Sequence, residues 1–150
     1  MNDRIGAGVG GWMLLRADAL RLLLPLAEVG AAEHLDGTPQ PSGQPGLFEL
    51  AAAEPDGAPR FVAALSARLQ PLPELPPARF VVTPFPAQPG VVLAWDEARL
   101  LAADTVALRP LPAAMCAPES PLTHYAEVEG QPAFACSAER VLGYAFASAS

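Results

Sequence analysis

Few residues in this chain have the chemistry for catalysis: His34 and His124, Cys116 and Cys136, the adjacent Asp96 and Glu97, and the carboxylates of "HYAEVEG". A hydrolytic triad needs a histidine beside a nucleophile and an orienting carboxylate, yet no serine lies in a G-x-S-x-G turn. Ser66, Ser120 and Ser137 fall where segments end, and there a hydroxyl caps backbone groups. Neighbouring residues point to opposite faces of a strand or about 100° apart on a helix, so Asp96 and Glu97 cannot converge as a glycosidase pair. Glu127 and Glu129 are expected to share one strand face, most simply a solvated hairpin face. The alternative is a small-molecule-binding or hydrolytic β-barrel that uses His124 with those carboxylates. Cys116 and Cys136 have no histidine pair nearby and form no C-x-x-C, so they read as buried thiols. "GAGVGG" matches G-x-G-x-x-G through Gly6, Gly8 and Gly11, but a strand follows it where a dinucleotide site needs a helix. Residues 1–11 therefore read as a flexible tail, and no catalytic, cofactor-binding or metal-ligating residue is expected.

Composition narrows the class. The 150 residues are 51% apolar and 17% charged, enough for one folded domain or two small barrels with a shared interface. Nine basic residues, all arginine, against 16 acidic ones give a net charge of −7, which disfavours nucleic acid and anionic membrane surfaces as partners. The uncharged stretch from Phe80 to Trp95 is broken by prolines and is not a membrane span. No signal-peptide cleavage pattern follows the N-terminal apolar run, and the expected location is cytoplasmic.

These residues must be positioned by many short apolar runs, each closed by proline or glycine. "GWMLLRAD" and "LRLLLPLAEV" predict a tight hairpin about Asp18-Ala19. The stretch 36–46 reads as loop, and "LFELAAA" and "RFVAALSARL" as two strands joined by the turn residues of 54–59. After the spacer 70–78, strands are predicted in 79–85, 89–101 and 105–110. A loop over 111–121 then leads to a final hairpin near Gly130-Gln131. Segment 137–146 reads as a helix with Ser137 as N-cap and Glu139 in its first turn. Propensity alone also predicts helices over 27–35 and 96–104, the second in conflict with the strand reading. Eighteen prolines and the many short strands favour a barrel or sandwich over alternating βα units. "LPLAEV" (24–29) and "LAWDEA" (93–98) echo one another, as two similar halves would or as apolar strands do by chance.

In order and spacing these segments resemble the CheW-like adaptors of bacterial chemosensory arrays. "RFVV" with "GVVLAWDEARLL" resembles the family's strand pair and its acidic turn, Asp96 at the acidic position. "TVALRPLP" resembles the R-P-x-P segment through Arg109, Pro110 and Pro112, and "LTHYAEVEGQPAFACSAERVL" the closing hairpin and helix, with Tyr125 at the aromatic position. "FVAALSARL" resembles the I-D-L-R strand end, with Arg68 as its arginine and Ser66 in place of the aspartate. The resemblance covers roughly residues 12–147. It implies a mainly β fold of two five-stranded SH3-like barrels packed side by side, a junction near 70–79 and a short C-terminal helix. It also implies a noncatalytic scaffold that joins the regulatory domain of a chemotaxis-type histidine kinase to a receptor tip or a related adaptor, in motility or pilus control. Partner contacts are expected from Leu24, Leu26, Glu28, Val29, Phe61 and Arg68. Where the family presents an arginine-bearing turn, this chain has Glu54 and Asp56, which implies weak binding to a standard receptor tip. Trp95, Asp96 and Arg109 are expected to be structural, with Asp96 at a bend on the barrel rim.

Overall fold

The computed structural model describes residues 11–35, 37–50, 60–115 and 120–146. Strands β1 (Trp12–Ala17) and β2 (Leu20–Pro25) form the expected hairpin, paired from Trp12↔Pro25 to Ala17↔Leu20. Asp18 opens the turn at φ 54, a left-handed conformation that aspartate tolerates better than most residues. Short strands follow as β3 (Glu33–His34), β4 (Gln40–Pro41), β5 (Phe48–Leu50) and β6 (Arg60–Ala64). The remainder are β7 (Val81–Pro84), β8 (Val91–Trp95), β9 (Glu97–Leu101), β10 (Arg109–Pro110), β11 (His124–Val128) and β12 (Gln131–Ala135). Helix α1 (Ala138–Phe146) closes the described chain.

The fold is mainly β, in two six-stranded mixed sheets. Their orders are β10-β11-β12-β2-β1-β9 and β3-β7-β8-β6-β5-β4. Each has one more strand than the five expected, and no closed barrel forms among the described residues. Advancing every label of the second sheet by six, or drawing it back where it exceeds six, yields the first sheet in reverse order. The chain is thus a topological duplication of a six-strand unit. One parallel contact occurs in each sheet, β12 on β2 and β6 on β8, and these are equivalent under the same shift. The duplication exchanges edges: β3 leaves β2 to pair with β7, while β9 leaves β8 to pair with β1. Phe61 lies opposite Val91 and Phe134 opposite Leu22, so matching the two phenylalanines matches 22 with 91 and hence 24 with 93. The echo between 24–29 and 93–98 therefore falls on the two crossovers.

Three expectations are corrected. Segment 27–35 is no helix: a single 3-10 turn at Leu26–Glu28 leads into β3. Segment 96–104 is likewise strand β9 and a 3-10 turn at Ala103–Thr105. Each segment gains ladder hydrogen bonds from the other half's hairpin, and that pairing outweighs a propensity of a few tenths of a kcal/mol per residue. Finally, the stretch 36–46 is not all loop, because Gln40 and Pro41 pair with β5.

Both faces of each central hairpin are covered, and this explains the unbroken apolar runs. Leu22 and Leu24 join Met13, Leu15, Leu93 and Trp95 in the core between the sheets, with Val141, Leu142 and Ala145 of α1. Leu23 points the other way, to Trp12, Leu14, Ala126 and Ala133. Val92 and Ala94 do the same in the second sheet, meeting Val62, Ala64 and Val82. Helix α1 starts where expected, with the Arg140 amide donating to Ser137 Oγ at 3.1 Å. The Ala138 amide donates to Glu28 Oε1 at 2.8 Å, which ties the first crossover to the helix start.

Candidate functional site

Asp96 is the one residue between β8 and β9, where the chain passes from one sheet to the other. Its Oδ2 accepts the Asp18 amide at 2.7 Å, and its own amide donates to the Arg16 carbonyl at 2.8 Å. Beneath it lies Arg79, whose side chain is wholly buried. Arg79 Nη1 donates to the Leu65 carbonyl at 2.6 Å. Its Nε stands 3.2 Å from Asp96 Oδ2 and its Nη2 3.2 Å from Asp18 Oδ1, at angles too oblique for hydrogen bonds, so these contacts are ionic. A buried guanidinium is tolerated only with such partners. The site anchors the crossover and is occupied by its own side chains. Trp95, also fully buried, donates from Nε1 to Thr83 Oγ1 at 2.9 Å, which satisfies both groups.

Glu97 belongs to a second network on the first sheet. Arg16 Nε donates to Glu97 Oε1 at 3.3 Å, and Arg99 forms a fork with Glu129 at 2.9 and 2.6 Å. Arg21 adds a contact of 3.6 Å to Glu129. The hydrogen bond from Arg99, reinforced by the charges of Arg99 and Arg21, holds the Glu129 carboxyl below its ordinary range. Glu129 does not share a strand face with Glu127, contrary to expectation, because it sits in the β11–β12 turn at φ 55. His124 and Glu127 lie an odd number of residues apart on β11 and so face opposite sides. His124 Nδ1 instead meets Thr123 Oγ1 at 2.8 Å. The residues of the hydrolytic alternative are not brought together, and no metal-binding group of His, Cys, Asp and Glu occurs among the described residues.

The expected partner residues divide by burial. Leu24 is core and presents no surface, which corrects its assignment as a contact, whereas the largely buried Val29 still lines a groove. Glu28 is engaged at the helix start. Leu26 lines the same apolar groove, of about 510 Å3, with Val29, Met13, Gly30, Ala98 and Leu100. Leu100, on edge strand β9, is 67% exposed and was not expected at the site. Its signal is an "ARLLAAD" leucine pair where strand alternation must turn one side chain outward. Arg79 was also missed, hidden as the first letter of "RFVV". Phe61 is half-buried on β6, Arg68 is exposed in the following turn, and Arg109 is exposed on β10. Glu54, Asp56, Cys116, Gly6 and Gly8 lie outside the described residues. Cys136 is buried, and desolvation pushes its thiol far up in pKa. No helix among the described residues is long and apolar enough to cross a membrane.

No known family model matches the chain, and no curated protein matches it.

Proposed function

We propose that this chain is a noncatalytic, cytoplasmic adaptor of the chemosensory type, joining a chemotaxis-type histidine kinase to a receptor or to another adaptor. The observation that supports it best is the apolar groove where the first crossover meets edge strand β9, flanked by the exposed Leu100. An apolar groove beside an open sheet edge is a common way for a small β domain to seat a partner element. The first crossover is anchored by a 2.7 Å bond from the Gly30 amide to the Pro84 carbonyl, so the groove wall is preformed.

The test is calorimetric titration of the full chain with the regulatory domain of the cognate kinase and, separately, with a receptor tip. Binding to the kinase domain that weakens at least about tenfold in Leu100→Glu is expected, since a charge would then enter an apolar contact. Receptor-tip binding is expected to be much weaker and to improve in a Glu54→Arg, Asp56→Gly variant. Saturable binding to neither partner would refute the adaptor reading, as would kinase binding indifferent to Leu100→Glu.

A further inference from the structure

Two clefts open on the first sheet, and their charges behave in opposite ways. The first, about 330 Å3, is lined by Arg16, Arg21, Glu97, Arg99 and Glu129, all of which pair with one another. Three arginines share two glutamates there, and every one of these side chains is already engaged in an ion pair. The second, about 410 Å3, lies at the β10–β12 end and is lined by Thr105, Ala107, Arg109, Tyr125, Glu127 and Pro132. Strand register puts three of these on one face: Arg109 is directly opposite Tyr125, and Glu127, two residues further along β11, is opposite Pro132. Arg109 and Glu127 are diagonal neighbours, about 7–8 Å apart at the backbone and within reach of each other. Even so, the side chains of Arg109, Tyr125 and Glu127 make no ion pair or hydrogen bond among the described residues.

A cation and an anion are thus presented on one face without neutralising each other, with Tyr125 on the same face and Pro132 and Ala107 also lining the cleft. We infer that this cleft binds a free α-amino acid. The guanidinium of Arg109 takes the ligand carboxylate in a two-point hydrogen bond, the geometry for which arginine is suited. Glu127 takes the ammonium, which an amino acid carries on the carbon next to that carboxylate. The ligand side chain lies against Tyr125 and Pro132, and the cleft has the volume of a small-molecule site. A plain anion would leave Glu127 unpaired and opposed to it, and a plain cation would meet Arg109, so the zwitterion is the class that satisfies both. The β10 end of the sheet is the far end from β9, so this site is separate from the proposed adaptor groove and stands or falls independently of it.

The experiment follows backbone amide resonances of the isotope-labelled full chain. The probes are L-phenylalanine, L-leucine and L-glutamine, and then L-phenylalaninamide and N-acetyl-L-phenylalanine. Saturable shifts confined to Thr105–Arg109 and Tyr125–Pro132 are expected with at least one free amino acid, with Kd in about the millimolar range or below. Blocking either end is expected to weaken binding about tenfold or more, the loss of one charge-assisted contact. Arg109→Gln should abolish the preference for the free acid over the amide while keeping that for the free amine, and Glu127→Gln should do the reverse. Both substitutions are on the exposed face, and unchanged resonances elsewhere report an intact fold. The inference is overturned if none of the three amino acids gives saturable shifts, if the blocked probes bind as well as the free one, or if neither substitution alters the preferences.

Discussion

Arg79 and Asp96 illustrate how much a single pair can decide. Asp96 accepts the amide that opens the first hairpin and faces a guanidinium with no access to water. Asp96→Ala removes the hydrogen bond and leaves Arg79 with only the exposed Asp18 as its counter-charge. The expected cost is about 3 kcal/mol, read from urea unfolding. Combined with Arg79→Met, the loss should be smaller than the sum of the two singles, because the stranded charge has gone. Glu129 gives a pH dependence of definite sign. Its folded-state pKa is lowered, so the stabilisation is present above the ordinary glutamate range and is lost as pH falls through the lowered folded value. Glu129→Gln should therefore lower stability at neutral pH, flatten the acid limb of the profile and leave its strongly acidic end nearly unchanged. Cys136, buried with its thiol held neutral, should resist a thiol reagent in the folded protein and react once the chain is unfolded, as read in a Cys116→Ser background.

Among the elements, α1 shows where a local rule has been relaxed. Gly143 stands in the middle of the helix on an exposed position, and a Cβ there would meet no atom within 4 Å. Nothing in the fold requires glycine at this place. Gly143→Ala should raise stability by about 0.5–1 kcal/mol, visible as a higher thermal midpoint. Gly11 is the opposite case: it has φ 100, and a Cβ would run into the Leu101 carbonyl of β9. Only glycine lets the chain enter β1 so close to the exchanged strand. The same two elements show the limits of propensity, since "DEARLLAAD" would favour a helix in isolation but finds an unpaired edge of β1 instead.

For the molecule as a whole, the exchange of β3 and β9 has a mechanical consequence. Each sheet has an edge strand supplied by the other half, and one core, from Met13 through Trp95 to Ala145, is common to both sheets and α1. Neither half should then melt alone. Heat or urea should give a single transition with coincident tryptophan fluorescence and far-ultraviolet circular dichroism, because Trp12 packs on the outer face of the first sheet and Trp95 in the shared core. Two separated transitions would show that the halves are independent domains.

The sequence by itself determined the fold class, the central hairpin 12–25, the closing hairpin and the terminal helix. Each of these is encoded by contacts between near neighbours: apolar alternation, a turn residue that tolerates positive φ, a serine cap. It also carried the 24–29/93–98 echo, although as letters alone the echo could not be told from chance. Tertiary structure decided the rest, namely which sheet each crossover strand joins, that 27–35 and 96–104 are not helices, and that Leu24 is core while Leu100 is surface. It also decided that Arg79 is buried against Asp96 and Asp18, and that Arg109 and Glu127 come to line one cleft without pairing. Those outcomes depend on groups far apart in the chain, and local sequence does not record the hydrogen-bonding edge, the opposite charge or the facing side chain that a residue will meet only after folding.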